Sequence, residues 1–482
     1  MRLYQATNLL RLQANSFRMD YDFIQSQVHQ YQQSEEYRLI CKAYEYYEKD
    51  HDIVYTPRKQ LGMNGELEPA TNAIDKRLTD DQFSKCIDQK RNYLLGRPFT
   101  IESEDDAYEE QLNEFFDSSL RSLIQRTGTD ALLAAEVYWH PYYDRRGDLR
   151  FKKLDRRQVL VFWEDEDKSI PHSFVRFYDT YFYDGQTDKT VQHLDWYTPQ
   201  GLFRWENGVR MNDNALMYTQ ADDGPVDHWE GRLPLIVWKL NPVEKIPFRK
   251  VKGLQDALNE LRSQITNIAL EDSRTTILLV NNYGGEMELD SSRPSLREFI
   301  SKTGLIVTET IDGQDGEVNA ITLAFEPEQR IVVAEMLKKA IIDNMRAFDV
   351  KDLRDMSAPN QMNIKAVYSD MAEDALEMQT RFQEAFHDLL FFVHKHLGIT
   401  PEKKAEIIFN TDMMMNESDI IQDIVNSRDI LSDKSLVAQH PWVKEVEPEL
   451  ERIQKERDRT MAELFERQGV EDSFPVRNDE AE

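Results

Sequence analysis

The chain has 482 residues, enough for about three domains, and a formal net charge of −29 from 88 acidic against 59 basic residues. This charge argues against a simple basic surface for DNA or RNA, although DNA can still slide past a weakly attractive surface. No apolar run is long enough to cross a membrane, and the N-terminus lacks signal-peptide features. Two cysteines, Cys41 and Cys86, predict reduced thiols in an intracellular protein.

The chain before Glu136 is predicted to be mainly helical. Residues 1–36 are polar and rich in Gln, and we expect them to be partly helical. Apolar spacing and the breakers Pro57, Gly62 and Gly96 predict helices over 37–49, 72–95 and 109–133, with a loop over 51–69.

Between Glu136 and Lys239 the pattern changes to short runs of aromatic and β-branched residues. Turn signals such as Arg146–Gly147–Asp148 and Asn207–Gly208 separate these runs. The sequence therefore predicts an antiparallel meander.

A long amphipathic helix is predicted over 248–272. Its apolar residues repeat at alternating spacings of three and four and form one narrow stripe, which suits side-by-side packing, including packing against copies of the same chain. The stripe consists of Val251, Leu254, Leu258, Leu261, Ile265 and Ile268.

A β-rich insert over 273–325 separates this helix from a second long helix over 327–348, which begins at Pro327. The insert is predicted to contain three strands, a short helix and a turn at Asp312–Glu317. The stripe of the second helix consists of Ile331, Met336, Leu337, Ile341, Met345 and Phe348.

The pattern breaks after the second helix, around Pro359, and a third long helix is predicted over 364–397 with Gly398 as its cap. Residues 399–468 are predicted to be helical, and the last dozen to be disordered.

Signatures of catalysis are absent from the sequence. There is no phosphate-binding loop, nucleophile elbow, zinc-protease motif or C-x-x-C pair. His387, His394 and His396 share one helix at spacings that do not suit a common metal, so we interpret them as core or surface residues. The sequence thus predicts no catalytic, cofactor-binding or metal-binding residues and no enzyme.

Several segments, in collinear order, resemble the portal proteins of tailed bacteriophages, specifically those of long-tailed phages of Gram-positive bacteria. The resemblance covers roughly residues 37–397 and rests on YRLICKAYEYYEKDHDI, IDQKRNYLLGRPFTI, the segment from LPLIVWKLNPVEK to ITNIALED, TTILLVNNYGG, and the long helix opened by Asn363. The loop before that helix lacks the glycines usual in the family.

The resemblance implies an α+β, portal-type ring subunit. It would have an α+β wing, two long stem helices flanking a small β-rich clip, a long helix and a helical C-terminal crown. The implied divisions are an N-terminal arm (1–36), wing (37–247), stem helix 1 (248–272), clip (273–325), stem helix 2 (326–348), tunnel loop (349–362), long wing helix (363–397), crown (398–470) and disordered tail (471–482).

The implied function is a ring at one capsid vertex through which DNA is packaged and ejected. The expected partners are other copies of the chain, twelve in the usual ring, and double-stranded DNA in the channel. A terminase or packaging ATPase, capsid and scaffolding proteins and a head-completion adaptor would dock on it, with no membrane involved. We expect it in the virion, and in the host cytoplasm during assembly.

Specific residues are expected to carry these roles. The tunnel loop and its flank would place Lys351, Arg354, Met356, Asn360, Met362 and Lys365 along the DNA channel. Stem packing between subunits would use the stripe of the first helix together with Leu337 and Ile341. Two alternatives remain: another self-assembling virion component for head completion or the tail, and a carboxylate-based hydrolase.

Overall fold

The structure, a computed structural model, combines helices with antiparallel sheets, which confirms the α+β fold class. It describes residues 21–61, 66–69, 73–144, 146–183, 185, 187–198, 201–211, 218–221, 224–227, 229, 232–270, 276–281, 308, 310, 313, 315–322, 327–349, 361–410, 417–427, 436–437, 443, 449–450, 452–455 and 457. The chain forms two compact units. One contains Met1–Phe348 and Met371–Asp412, and the other contains Asp349–Asp370 and Met413–Glu482.

The N-terminal part is helical, as predicted, but two helix boundaries differ from the prediction. The helix predicted over 72–95 begins only at Gln82, because the backbone N–H groups of Lys76, Leu78 and Asp80 donate to side chains of another helix instead. The helix predicted over 109–133 is two helices, since the Asp117 carboxylate accepts the N–H of Leu120 and caps a new start. These helices are α1 (Tyr21–Gln32), α2 (Glu35–Tyr47), α3 (Asp52–Tyr55), α4 (Gln82–Leu95), α5 (Asp106–Phe115) and α6 (Ser118–Ala134).

The predicted meander is confirmed, and its strands belong to two sheets. The strands are β4 (Glu136–Tyr143), β5 (Leu149–Leu154), β6 (Val159–Trp163), β7 (Pro171–Tyr183), β8 (Asp188–Thr198), β9 (Gly201–Glu206), β10 (Val209–Met211) and β13 (Ile236–Lys239). A five-stranded sheet has the order β10-β9-β8-β7-β6, and a three-stranded sheet has the order β13-β4-β5. Short two-stranded pairs join β1 (Lys59–Leu61) to β2 (Leu67–Pro69), and β11 (Tyr218–Ala221) to β12 (Gly224–Asp227).

The five-stranded sheet is buried on both faces at its edge strand β6. Val159, Val161 and Trp163 point into one core, shared with Tyr138 of β4. Leu160 and Phe162 point into the other, where Ile24, Val28 and Tyr31 of α1 cover the sheet. Strand side chains alternate between faces, so the unbroken apolar run VLVFW serves two cores.

A buried ionic cluster holds the loop that leads into the long helices. Glu136 lies 3.6 Å from Arg156 and 4.0 Å from Lys168, and Lys168 also pairs with Glu244 of that loop. Burial alone would raise the pKa of Glu136, but the two cations outweigh it and hold this pKa at about 2. The loop is thereby fixed to the sheet just before α7 begins.

The three predicted long helices are present as α7 (Phe248–Leu270), α8 (Pro327–Asn344) and α9 (Gln361–Leu397), with Gly398 at positive φ after α9. Between α7 and α8, β14 (Thr276–Val280) pairs antiparallel with β15 (Val318–Thr322). The predicted short helix of this insert, and its middle strand apart from Thr308, lie outside the described residues.

After α9, the all-helical prediction is wrong for a short stretch. β16 (Glu406–Ile408) pairs with β3 (Thr100–Glu102), and Ala405, Ile407 and Phe409 are buried at a period of two, as a strand requires. A helix does follow at α10 (Glu417–Asn426). The predicted disordered tail lies outside the described residues.

Candidate functional site

The first candidate site is the surface of the paired helices α7 and α8. Towards its own chain, α8 buries Ala334, Ile341 and Ile342, and Met345 directly after the helix is buried as well. Four further apolar side chains on the same helix are 46% to 65% exposed. We call these the outer apolar surface, and they are Ile331, Val332, Val333 and Met336. A cluster of exposed aliphatic side chains on one helix is typical of a surface that another protein covers.

The predicted stripe of α7 lies where expected but is only partly buried in a single chain. Val251 and Leu258 are fully buried, whereas Leu254, Leu261, Ile265 and Ile268 keep part of their surface exposed. On α8, Leu337 is half-buried and Ile341 is buried, while Ile331 and Met336 of the predicted stripe are exposed. Within one chain, therefore, only part of the predicted stripe of this helix is buried.

The deeply buried face of α7 is largely polar. Gln255, Asn259, Ser263 and Asn267 recur at every fourth residue, and each is nearly or fully buried. Their side chains bind the backbone of residues 76–83, which we call the strap. The N–H groups of Lys76, Leu78, Asp80 and Phe83 donate to Asn267, Ser263, Asn259 and Gln255 in turn, at 2.7 to 3.2 Å.

The ladder can form because four residues of helix and two residues of extended chain cover nearly the same distance. Four residues of helix advance about 6 Å, and two residues of extended chain advance about 6.6 Å. From Lys76 to Asp80, a polar side chain on each helical turn therefore meets every second residue of the strap, and Gln255 meets Phe83 in the first turn of α4. Sequence analysis missed the ladder, although four small polar residues at a spacing of four were visible within the helix.

His51 extends the ladder on the side of α2. Its Nε2 donates to the carbonyl of Tyr46 at 3.1 Å, so its Nδ1 is free of hydrogen and accepts from the Asn259 amide at 2.7 Å. The Tyr46 ring stacks on the imidazole, with centroids 4.3 Å apart. Burial lowers the pKa of His51, against the opposing charges of Asp81, Asp256 and Asp52, and favours the neutral ring.

A second group of contacts joins the end of α8 to the part of α9 that follows Asp370. Arg346 takes positive φ just after α8, a position that usually favours glycine, and its guanidinium lies 2.8 Å from Asp374. Asp374 also pairs with Lys90 of α4, and Gln89 donates to the carbonyl of Phe348 at 3.2 Å. These contacts hold the chain directly after α8 against α4 and against the part of α9 that follows Asp370.

The predicted channel residues fall into two groups. Lys351, Arg354, Met356 and Asn360 lie outside the described residues. Met362 and Lys365 belong to the first turns of α9, where only the backbone is described. The helix begins at Gln361, one residue before the predicted end of the loop.

The three histidines do not form a common site. His387 is exposed, His394 is buried and His396 is half-buried between Phe115 and Tyr143. Within the described ranges, no group of three His, Cys, Asp or Glu side chains is arranged to hold a metal ion. Nor does any helix there have the length and apolar composition needed to span a membrane.

Comparison with known proteins gives one consistent family. Residues 27–463 match the family model described as phage portal protein, SPP1 Gp6-like. The chain is 22% identical over 436 residues to the portal protein of Bacillus phage SPP1, covering 86% of this chain and 83% of that protein. It is 22% identical over 439 residues to the portal protein of Clostridium phage phiCD119, covering 88% and 93%.

Among solved structures, the virion of a native gene transfer agent particle contains a chain that aligns with 75% of this chain and 93% of its own length. The TM-score is 0.38 and the identity 13%.

Proposed function

The chain belongs to the SPP1 Gp6-like family of phage portal proteins, and from this membership we propose that it forms the ring at one vertex of a phage capsid through which DNA is packaged and ejected. The observation that carries the proposal is the family match over residues 27–463, nearly the whole chain. The known role of this family is structural, and we propose that the chain itself catalyses no reaction. ATP hydrolysis would come from a separate packaging motor.

The outer apolar surface on α8 supports assembly into a ring. Ile331, Val332, Val333 and Met336 would be covered by the helices of a neighbouring copy, together with the partly exposed side of the α7 stripe. Each copy would use one face to contact the neighbour on one side and a different face to contact the neighbour on the other side. Such head-to-tail contacts close into a ring when the rotation from one copy to the next is a full turn divided by the number of copies. We propose twelve copies.

The assignment of portal domains to segments of this chain is proposed from the same family membership. Residues 37–247 would form the wing, α7 and α8 the stem, 273–325 the clip and 398–470 the crown. We propose that the clip, whose backbone pairs β14 with β15, docks the terminase and the head-completion adaptor. Capsid and scaffolding proteins would contact the ring during assembly in the host cytoplasm.

DNA in the channel is proposed to pass the segment 349–362, with Lys351, Arg354 and Lys365 near acidic residues of the same segment. A chain with a net charge of −29 has little overall attraction for DNA. Few basic contacts, each offset by a nearby acid, would let the duplex slide.

Electron microscopy of the purified full chain tests the proposal. We expect rings with a central opening, and native mass spectrometry should give the copy number. A protein that stays monomeric at every concentration and salt tested, and also fails to incorporate into capsids, would overturn the proposed function.

A further inference from the structure

A groove of about 760 Å³ lies at the C-terminal end of α9. We call it the α9-end groove. Its apolar lining comes from Leu390, Phe391, Ile399 and Pro401, and its polar lining includes His387, His394, Lys395, Lys403 and Lys404.

The charge of this groove is opposite to that of the chain. The protein has 88 acidic and 59 basic residues, yet no Asp or Glu is among the residues that line the described groove. The negative end of the helix dipole favours cations on the last turn and accounts for Lys395. It does not account for Lys403 and Lys404, which follow the helix. The positive charge of Lys403 is partly neutralised, because its ammonium lies 2.8 Å from the Asp105 carboxylate.

The walls of the groove are held in place by their own contacts. His394 hydrogen-bonds through Nε2 to the Tyr108 hydroxyl at 2.5 Å. Arg232 lies over the Phe391 ring, 4.4 Å from its centroid, and pairs with Asp388 at 2.6 Å. A groove with fixed walls loses little conformational entropy when a ligand enters.

We propose that the α9-end groove binds an acidic peptide segment of a partner protein, with Asp or Glu residues flanking an aliphatic or aromatic side chain. The lysines attract the carboxylates, and the apolar floor accepts the apolar side chain. Duplex DNA fits less well, because its phosphates gain nothing from an apolar floor. This contact lies beyond the proposed DNA channel and does not depend on the number of copies in the ring.

A labelled peptide tests the proposal on the full chain in its native assembly. The probe is a fluorescein-labelled peptide of Asp and Glu around a central Leu-Phe pair, and binding is followed by fluorescence anisotropy. Binding is expected to weaken by about fivefold when NaCl is raised from about 0.05 to about 0.3 M. Replacing the acids of the peptide by Asn and Gln, or its Leu-Phe pair by Ser-Ser, should each weaken binding further.

The decisive variant is Lys395→Glu with Lys404→Glu. Both lysines are exposed, so the change should leave the fold intact by circular dichroism and weaken peptide binding at least about tenfold. The matched control is Lys245→Glu with Lys250→Glu, two exposed lysines of another surface, which should bind the probe normally.

Two results would overturn the proposal. One is equal peptide binding by the Lys395/Lys404 variant and the wild type. The other is a short DNA duplex that displaces the peptide and loses its own binding in the same variant, since that outcome assigns the groove to nucleic acid.

Discussion

Asn267 of α7 binds both backbone polar groups of Lys76. Its side-chain oxygen accepts the Lys76 N–H at 2.7 Å, and its amide nitrogen donates to the Lys76 carbonyl at 3.2 Å. The side-chain amide thus replaces the neighbouring strand that an extended segment would otherwise need. A residue nearly two hundred positions earlier in the chain is fixed in this way to the first long helix.

The ladder should be important for stability. Asn259→Leu would leave the Asp80 N–H and the Nδ1 of His51 without their present partners. Each buried group left unpaired costs about 1–3 kcal/mol, so we expect a loss of about 2–4 kcal/mol in the free energy of unfolding, measured with urea. Gln264→Leu is the control, because Gln264 is exposed on the same helix. An equal loss in both variants would argue against the ladder.

His51 should make stability depend on pH. Its pKa is lowered in the folded chain, so just below its ordinary value of about 6.5 the unfolded chain binds more protons than the folded one. Stability should therefore fall as pH drops from about 6.5 towards the folded pKa. Urea unfolding at several pH values should show a shallower fall for His51→Gln. If the free energy of unfolding of His51→Gln fell with pH as steeply as that of the wild type, groups other than His51 would set the pH dependence of stability.

Asp374 should hold the end of α8 by balancing two cations. Lys90 is largely buried, and burial lowers its pKa while Asp374 opposes that shift. Asp374→Asn would leave this ammonium and Arg346 without the shared carboxylate, and we expect a loss of about 3 kcal/mol in thermal or urea unfolding. Glu373→Gln, at an exposed neighbouring site, should change stability little. Full stability of Asp374→Asn would show that this carboxylate does not hold the helix end.

Ring assembly should depend on the outer apolar surface. Val332→Asp places a charge on exposed α8 without disturbing the fold of one chain, and sedimentation should show loss or weakening of rings. Leu258 does not provide this test, because it is fully buried within its own chain and its replacement would unfold the subunit. Val209→Asp, the same change at an exposed strand position, is the control and should assemble normally. Intact rings of Val332→Asp would exclude this surface from subunit packing.

The channel proposal predicts a separation between assembly and packaging. Lys351→Glu with Arg354→Glu should form rings like the wild type, because neither residue belongs to the α7 or α8 surface. Loss of two basic contacts should impair packaging or retention of DNA, measured as nuclease-protected DNA in capsids. Normal packaging by this variant would show that the segment does not contact DNA through these charges.

The sequence by itself determined the order and type of the main elements. The α7 stripe, the start of α8 at Pro327, the cap of α9 at Gly398 and the strand alternation of the meander are local periodicities and breakers. Such signals act within a few residues along the chain and can be recognised without knowledge of the fold.

Only the tertiary structure decided which faces of these elements are buried and which distant segments they bind. The sequence of the strap predicted the start of a helix. In the structure most of the strap is instead extended, because Asn and Ser side chains of α7 accept the hydrogen bonds of its backbone N–H groups. β16 pairs with β3 across about three hundred residues, and Leu258 is buried while Val332 remains exposed. These outcomes depend on contacts between residues far apart in the chain, so hydrophobic spacing within one helix cannot specify them.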